Sequence, residues 1–405
     1  MTRTVVLLGL VSLFTDISSE SVSAVLPIYL TVVLGLTPLA YGFIDGIYQG
    51  VSALVRILGG WLADRGDHPK WIAVLGYGVS AVTRLALIPS QSMAAITGVI
   101  TADRLGKGVR TAPRDALIAA SSAPEALGRS FGVHRALDTT GAMIGPLLAF
   151  TILMVVPEDY TSVFVVSFAA AAIGLAILLL FVPDLRPRRD AVAARPAADA
   201  GVAPPKPSLR LLADRRFAML VAAAGLLGVL TIGDGFLYLV LQQRDELATA
   251  YFPLLYVGTS FAYLVLAVPL GALADRVGRT TVFLGGHLAL LAAYVCAGGP
   301  VGGAIPTILC LLFLGTYYAA TDGVLAALTA RVVQTPVRAS GIATTQTAVA
   351  LARFVSSVGF GLMWTTLGQR PAMVIVGVAL VAALPCAWVL LRGVDAGPSD
   401  EAVVG

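Results

Sequence analysis

Asp16 and Glu20 stand four residues apart in an apolar stretch that opens at Val5 and continues past Pro27 to Val33. In a helix that spacing places both carboxyls on one face. Ser12, Ser19 and Ser23 make much of the same segment polar. At about 1.5 Å per residue, Asp16 falls near the middle of a hydrocarbon layer about 30 Å thick. Two carboxyls so close, removed from water, suit a site that takes up and releases a proton. The same pair could equally form a static ion pair with Arg84 or Arg104, and the residues alone leave both readings open.

Other charges fall in apolar stretches: Asp45, Asp103, Asp138, Asp234 and Asp322, with Arg56, Arg84, Arg104, Arg135 and Arg353. A charge at the centre of a spanning helix costs roughly 2.5–3.5 kcal/mol, so these residues must face an interior and largely pair. Most lie in the first half of the chain, which marks it as the coupling half. Arg104 beside a carboxylate can favour the ionised acid until substrate or a change of conformation separates the two. Asp103, Lys107, Arg110 and Arg114 share one helical face, the last three at its cytoplasmic mouth. Asp138 with Arg135 and His134 reads as an ion-pair cluster, either structural or coupled to proton movement. Asp234 and Asp322 are lone acids that could meet a cationic substrate, and Arg84 and Arg353 are placed with them at a substrate cavity. Asp45 lies in Gly42-x3-Gly46-x3-Gly50, a helix-packing tract expected near the outer mouth. Tyr29, Tyr48, Tyr238, Tyr256, Tyr317 and Tyr318 could line a cavity or pack in the core.

Catalytic and cofactor chemistry finds no comparable support. His68, His134 and His287 are scattered, and no H-E-x-x-H, G-x-S-x-G or phosphate-cradling loop occurs. Gly76-Tyr-Gly78-Val-Ser-Ala81 imitates a dinucleotide fingerprint but lies in an apolar stretch without a strand–helix unit. Cys296, Cys310 and Cys386 sit inside apolar runs without metal-ligand spacing and read as small core residues. Neither a metal, a cofactor nor an enzyme activity is expected.

The elements that position these charges follow from composition. Of 405 residues, 58% are hydrophobic and only 12% charged. Soluble domains carry about a quarter charged residues, so a water-soluble enzyme and a disordered chain are both excluded. A spanning helix needs roughly 20 mostly apolar residues. Such stretches fall near 5–30, 40–63, 71–90, 94–112, 128–156 and 161–183, then near 217–242, 250–274, 281–298, 305–330, 338–366 and 371–392. Period-two alternation is absent, which excludes a membrane barrel. The first stretch reads as a span rather than a cleaved signal, because it stays apolar past Pro27 without a clear cleavage site. The one long connection, rich in Pro, Ala and Arg, reads as a mobile cytoplasmic linker over 185–216. If both termini are cytoplasmic, every loop lysine and arginine except Arg244 and Arg370 lies inside, which fixes an N-in, C-in topology.

An internal repeat supports two related halves. Gly60-Trp-Leu-Ala-Asp64-Arg65 recurs as Gly271-Ala-Leu-Ala-Asp275-Arg276, and Arg129-Ser-Phe-Gly132 as Arg338-Ala-Ser-Gly341, both about half a chain later. With these motifs the chain resembles the major facilitator superfamily. Its signature loop G-x-L-A-D-R-x-G-R is matched fully at Gly271–Arg279. The first copy departs after Arg65, where Gly66-Asp67-His68-Pro69-Lys70 stands. The resemblance implies gating roles for Asp64, Arg65, Asp275, Arg276 and Arg279. Asp103-Arg104-Leu-Gly-Lys107-Gly108 is similar to the family's buried-arginine motif. Gly132, Gly141 and Gly145-Pro146 follow the spacing found in members that export against protons, although Ala149-Phe150 replaces its terminal glycines. That spacing also serves plain helix packing. Phe14–Glu20, Gly106–Asp115 and His134–Asp138 resemble little-characterised bacterial members.

The expected molecule is an all-α membrane protein of twelve spanning helices. A six-helix bundle over 1–184 and a second over 217–394 are joined by the linker, with a cytoplasmic tail over 395–405. The resemblance implies a monomeric secondary transporter of the inner membrane that exports a small organic molecule or drug in exchange for protons. Its expected partners are the lipid bilayer, protons and the transported molecule, with no nucleic acid. Proton-coupled uptake of a sugar or organic anion is the alternative, and a membrane-embedded sensor or enzyme on the same fold a further one. Asp16, Glu20, Arg104 and Asp138 are the coupling candidates.

Overall fold

A computed structural model of the protein describes residues 2–66, 68–123, 126–185, 209–334, 337–392 and 394. All regular structure among these residues is helical. The helices are α1 (Arg3–Ile28), α2 (Pro38–Gly66), α3 (Pro69–Ala86), α4 (Met93–Ala120), α5 (Leu127–Val155) and α6 (Tyr160–Phe181). They continue with α7 (Arg215–Val229), α8 (Asp234–Arg244), α9 (Phe252–Val277), α10 (Arg279–Gly298), α11 (Ala304–Val332), α12 (Arg338–Leu367) and α13 (Gln369–Leu391). Taken together, α7 and α8 form one span-length stretch, so the helices make twelve such stretches. Among the described residues nine of these are long and apolar enough to cross a bilayer. Of the remaining three, α4 falls short because Asp103, Arg104, Lys107, Arg110, Arg114 and Asp115 dilute its apolar content. The predicted linker over 185–216 and tail over 395–405 lie mostly outside the described residues.

Helix ends follow local chemistry. Ser92 accepts from the Ala95 amide at 3.2 Å, and Asp214 accepts from the amides of Arg216 and Phe217 at 2.8 and 3.1 Å. Asp159 caps α6 by accepting from the Ser162 amide at 3.1 Å, and the Ser162 hydrogen bonds hold its carboxyl below the ordinary range. Pro38 and Pro69 occupy first turns, where a missing N–H costs nothing. Gly278, at φ 99°, makes the one-residue turn from α9 into α10, a conformation open mainly to glycine.

Two compact units emerge: Met1–Leu36, Val51–Ala203 and Thr249–Leu254 form the first; Thr37–Gly50, Pro204–Ala248 and Leu255–Gly405 form the second. In the first, α1 runs along α5 and α6, and α3 packs on α4 and α6. Its core gathers Val5, Leu8, Val11, Tyr77, Leu117, Ile118 and Leu178. Lys70 belongs to this packing: its ammonium donates to the carbonyls of Leu179 (3.0 Å) and Val182 (2.7 Å), closing the C-terminal end of α6. In the second, α7 packs on α12 and α13, and α10 on α11 and α13. Leu220, Leu227, Leu290, Leu314 and Leu380 are buried there. Outward faces are apolar: Val155, Leu180, Val268 and Ile305 each expose about three quarters of their surface or more. Such continuous apolar faces suit lipid rather than water. Cys386 lies on an exposed face, which corrects its reading as a core residue, because among the described residues no helix covers its side of α13.

One predicted span is not continuous. Between α7 and α8 the chain leaves the helix over Leu230–Gly233. Irregular backbone at membrane depth is tolerated only where its polar groups find partners. Here the Ile232 amide donates to the Tyr294 hydroxyl at 2.7 Å, that hydroxyl donates to the Leu230 carbonyl at 2.9 Å, and Ser356 donates to the Thr231 carbonyl at 2.8 Å.

Candidate functional site

In the first unit, α1 and α5 approach closely because two glycines of α5 face it. A methyl group on Gly141 would lie 2.4 Å from the Leu13 carbonyl oxygen, and one on Gly145 2.8 Å from that of Ile17. This contact brings Asp138, on α5, into side-chain hydrogen-bond contact with Asp16, on α1. Two carboxyl groups can share a hydrogen bond only with a proton between them. Arg135 Nη1 lies 3.7 Å and Arg114 Nη1 3.9 Å from Asp138, so two cations stand beside that carboxyl. One turn along α1, Glu20 lies 4.0 Å from Lys107 Nζ. Arg114 also donates to Asp115 at 3.0 Å and to Ser12 Oγ at 3.5 Å. These groups keep contact with the surroundings: the Lys107, Glu20 and Asp138 side chains are 35%, 28% and 20% exposed.

Next to them lies a dry cluster. Arg84 donates to Asp103 Oδ1 at 2.8 Å and to Ser19 Oγ at 3.3 Å, and Arg104 closes on Asp103 Oδ2. All three charged side chains are at most 6% exposed. Arg110 sits over the Tyr77 ring at 4.5 Å. Arg84 and Arg104 both pair with Asp103, and among the described residues no ion pair joins Arg84 to Asp16 or Glu20, the static alternative left open by the sequence. The reason is local: Asp103 precedes Arg104 on α4 and faces Arg84 across the α3–α4 contact. His134 is buried, and neither ring nitrogen has a hydrogen-bond partner among the described residues.

The second unit gathers the other acids. Tyr318 donates to Asp234 Oδ1 at 2.5 Å, Ser357 donates to Asp45 Oδ2 at 2.6 Å, and Arg353 donates to the Tyr317 hydroxyl at 3.2 Å. Arg353 also lies 5.7 Å from the Tyr318 ring. Asp45 sits against the break in the seventh span: a methyl group on Gly233 would be 2.6 Å from its Oδ2. A cavity of about 170 Å³ is lined by Asp234, Tyr238, Tyr256, Thr259, Ser260, Tyr263, Tyr318 and Asp322. Tyr238 and Tyr256 pack edge to face there with centroids 4.5 Å apart, and Tyr238 donates to Thr259 Oγ1 at 2.7 Å.

Of the tyrosines singled out in the sequence, Tyr238, Tyr256 and Tyr318 line this cavity. Tyr29 packs instead on Tyr160 and Phe164. Tyr263, Thr259 and Ser357 were not foreseen, since a tyrosine or hydroxyl in an apolar helix gives no signal of the side it faces. In the second signature loop, Arg279 donates to Asp275 Oδ1 at 2.9 Å and to the Ala327 carbonyl at 3.1 Å, tying the start of α10 to α11. Arg276 is exposed. The side chains of Asp64 and Arg65 lie outside the described residues. Gly132 has open space around it, unlike Gly141 and Gly145, and Pro146 is buried within α5.

Comparison with known proteins adds to this geometry. Residues 8–354 match the family model described as Major Facilitator Superfamily. An uncharacterised MFS-type transporter of Methanocaldococcus jannaschii is 29% identical over 299 residues, covering 71% of this chain and 70% of that protein. An uncharacterised protein of Mycobacterium tuberculosis is 29% identical over 280 residues, covering 69% and 67%. Among solved structures, the nucleoside transporter NupG superposes with a TM-score of 0.79 at 15% identity, over 96% of this chain and all of that one. A variant of the peptide transporter POT gives 0.78 at 16% identity, over 97% and 94%. At such identities the structural likeness shows the fold alone.

Proposed function

The chain belongs to the major facilitator superfamily, and from that premise we propose that it exports a small organic molecule in exchange for protons, by alternating access of two six-helix bundles with both termini cytoplasmic. The observation that carries the coupling is the Asp16–Asp138 contact, a carboxyl pair that needs one proton and keeps partial exposure.

In this reading Asp16 holds the proton and donates it to Asp138, whose charge Arg114 and Arg135 balance. When Asp16 releases the proton, two carboxylates face each other between α1 and α5, and their repulsion disfavours that approach. Lys107, Arg114 and Arg135 are the cations beside these acids that can take up the new charge. Glu20, beside Lys107, is the second acid on that path. The Arg84–Asp103–Arg104 cluster is the fixed support against which α1 moves, because breaking a dry ion pair costs several kcal/mol, on the order of 3–5. The Asp275–Arg279 pair holds one state of the second unit and opens in the other.

A second reading, proton-coupled uptake of an organic anion, is favoured by Arg110, whose buried Nη1 has no hydrogen-bond partner among the described residues.

The test is a pH gradient imposed on vesicles holding the full-length protein, with a pH-sensitive dye inside and a panel of amines, sugars and organic acids added in turn. At least one compound should collapse the gradient with wild-type protein. Asp16→Asn and Asp138→Asn should abolish that response, and Glu20→Gln should weaken it. Unchanged proton exchange in all three variants would refute the assignment.

A further inference from the structure

The interior of the second unit is short of positive charge. Among the described residues, Asp45 and Asp322 lie in its helices away from their ends, Asp234 opens α8 at the break in the seventh span, and Arg353 is the basic residue set among them. Asp45 is answered by Ser357, and Asp234 has one oxygen answered by Tyr318. Asp322 is different. Its side chain is exposed and lines the cavity, no hydrogen bond or ion pair to it occurs among the described residues, and Arg353 is the cation that acts on it through space. It stands eighteen residues into the 29-residue α11, too deep to reach either end of a span. A carboxylate at that depth belongs on water or on a cation.

The rest of the lining selects the kind of cation. Tyr238, Tyr256, Tyr263 and Tyr318 surround the two acids, and aromatic rings attract cations through their faces. Three of these tyrosine rings are fixed in place, Tyr318 by its bond to Asp234, Tyr238 by its bond to Thr259, and Tyr256 by its edge-to-face packing on Tyr238. A volume of about 170 Å³ is several water molecules large but smaller than most drug-sized pockets. It therefore fits a charged head group and leaves the remainder of a larger molecule outside.

We propose that this cavity is a binding site for an organic ammonium group, with Asp322 and Asp234 as its counter-ions and Tyr238, Tyr256 and Tyr318 as its aromatic walls. The proposal rests on the transporter reading and gives its cargo a positively charged amine. A metal ion such as sodium would need a shell of oxygens at short range and would leave the rings unused.

Equilibrium binding to the detergent-solubilised full chain tests this without any gradient. The probes are benzyltrimethylammonium, its uncharged isostere neopentylbenzene, benzylamine, benzoate and sodium chloride, read by calorimetry. Benzyltrimethylammonium or benzylamine should bind, while neopentylbenzene and benzoate should not, and sodium should not displace the amine at equal concentration. Asp322→Asn should weaken binding at least tenfold. Tyr256→Leu should weaken it several-fold, with Tyr256→Phe near wild type, since a ring is kept. Failure of both amines to bind folded protein, binding indifferent to Asp322→Asn and Tyr256→Leu alike, or displacement by sodium would overturn the proposal. Amine binding to wild-type protein that shows no proton exchange upholds this site whatever the fate of the coupling pair. Proton exchange driven only by uncharged or acidic compounds would remove the amine assignment and leave the transporter reading standing.

Discussion

Arg244 and Asp245, neighbours at the end of α8, close on each other as a two-pronged ion pair, Nε to Oδ1 and Nη2 to Oδ2 at 2.8 Å each. The pair is a tie among three helices rather than a local ornament. Asp245 also accepts from the Gly303 amide at 2.9 Å and from the Thr307 hydroxyl at 2.5 Å, at the start of α11. Arg244 donates to the carbonyls of Cys296 and Ala297, near the end of α10. The two side chains are only 10% and 5% exposed.

That burial gives the tie a pH signature. The Arg244 fork, with Thr307 and Gly303 adding to it, holds the Asp245 carboxyl well below the usual carboxylate range. A depressed acid stabilises the fold above its unfolded value, about 3.9, and the contribution fades as pH falls toward the folded value. Thermal unfolding in detergent should show this contribution in full from neutral pH down to about pH 5, and its loss only in stronger acid. Asp245→Asn should lower stability by on the order of 3 kcal/mol at pH 7, since it strands a buried guanidinium. The gap between variant and wild type should narrow on acidification below pH 4. A constant gap across that range would show that charge plays no part.

The α5 glycines make a second prediction, because their surroundings differ so sharply. Gly141→Ala forces a methyl onto the Leu13 backbone, and α5 must back away from α1. The cost should be about 1–3 kcal/mol of stability, typical of overpacking. Proton exchange should fall with it, as Asp138 leaves Asp16. Gly132→Ala meets open space and should be neutral or stabilising by up to about 1 kcal/mol. Equal effects of the two substitutions on unfolding temperature and on pH-gradient collapse would detach the glycine spacing from the carboxyl contact.

The helices and the acids of this chain were legible in its sequence, and the relations among them were not. Twenty apolar residues announce a span whatever surrounds them, so eleven helical stretches stand close to where composition placed them. Asp16 and Glu20 were visible as polar intruders. Their partners were not, since Asp138 reaches Asp16 across more than a hundred residues, through glycines whose role depends on the facing helix. Arg84 was free to pair with either acid on α1 until the α3–α4 contact presented Asp103. The break over Leu230–Gly233 left no mark in the sequence beyond one glycine, because Tyr294 and Ser356 satisfy it from distant positions. Tertiary partners decide such points, and hydropathy carries no record of them.

Asp103 and Asp16 should separate structural from functional acids. Asp103→Asn removes the carboxylate from beside two buried guanidiniums and should destabilise the protein by about 3–5 kcal/mol. Asp16→Asn keeps a donor facing Asp138 and should unfold near the wild-type temperature while losing proton exchange. Unfolding scans paired with gradient-collapse assays on both variants read the contrast directly. A stable Asp103→Asn protein would strip the dry cluster of its supporting role.

Tyr294 offers the sharpest probe of the interrupted seventh span. Its hydroxyl both accepts from the Ile232 amide and donates to the Leu230 carbonyl, so one oxygen satisfies two backbone groups freed by the break. Tyr294→Phe keeps the ring and its burial but leaves both groups without that partner, at about 1–3 kcal/mol for a buried unsatisfied polar group. Loss on that scale should appear in detergent unfolding, and the amides of residues 231–236 should exchange with solvent deuterium faster than in wild type. Exchange elsewhere in α7 and α8 should stay unchanged, because their internal ladders are intact. If Tyr294→Phe left both stability and local exchange untouched, the break would owe its shape to α12 and Ser356 alone, and α10 would have no part in holding it.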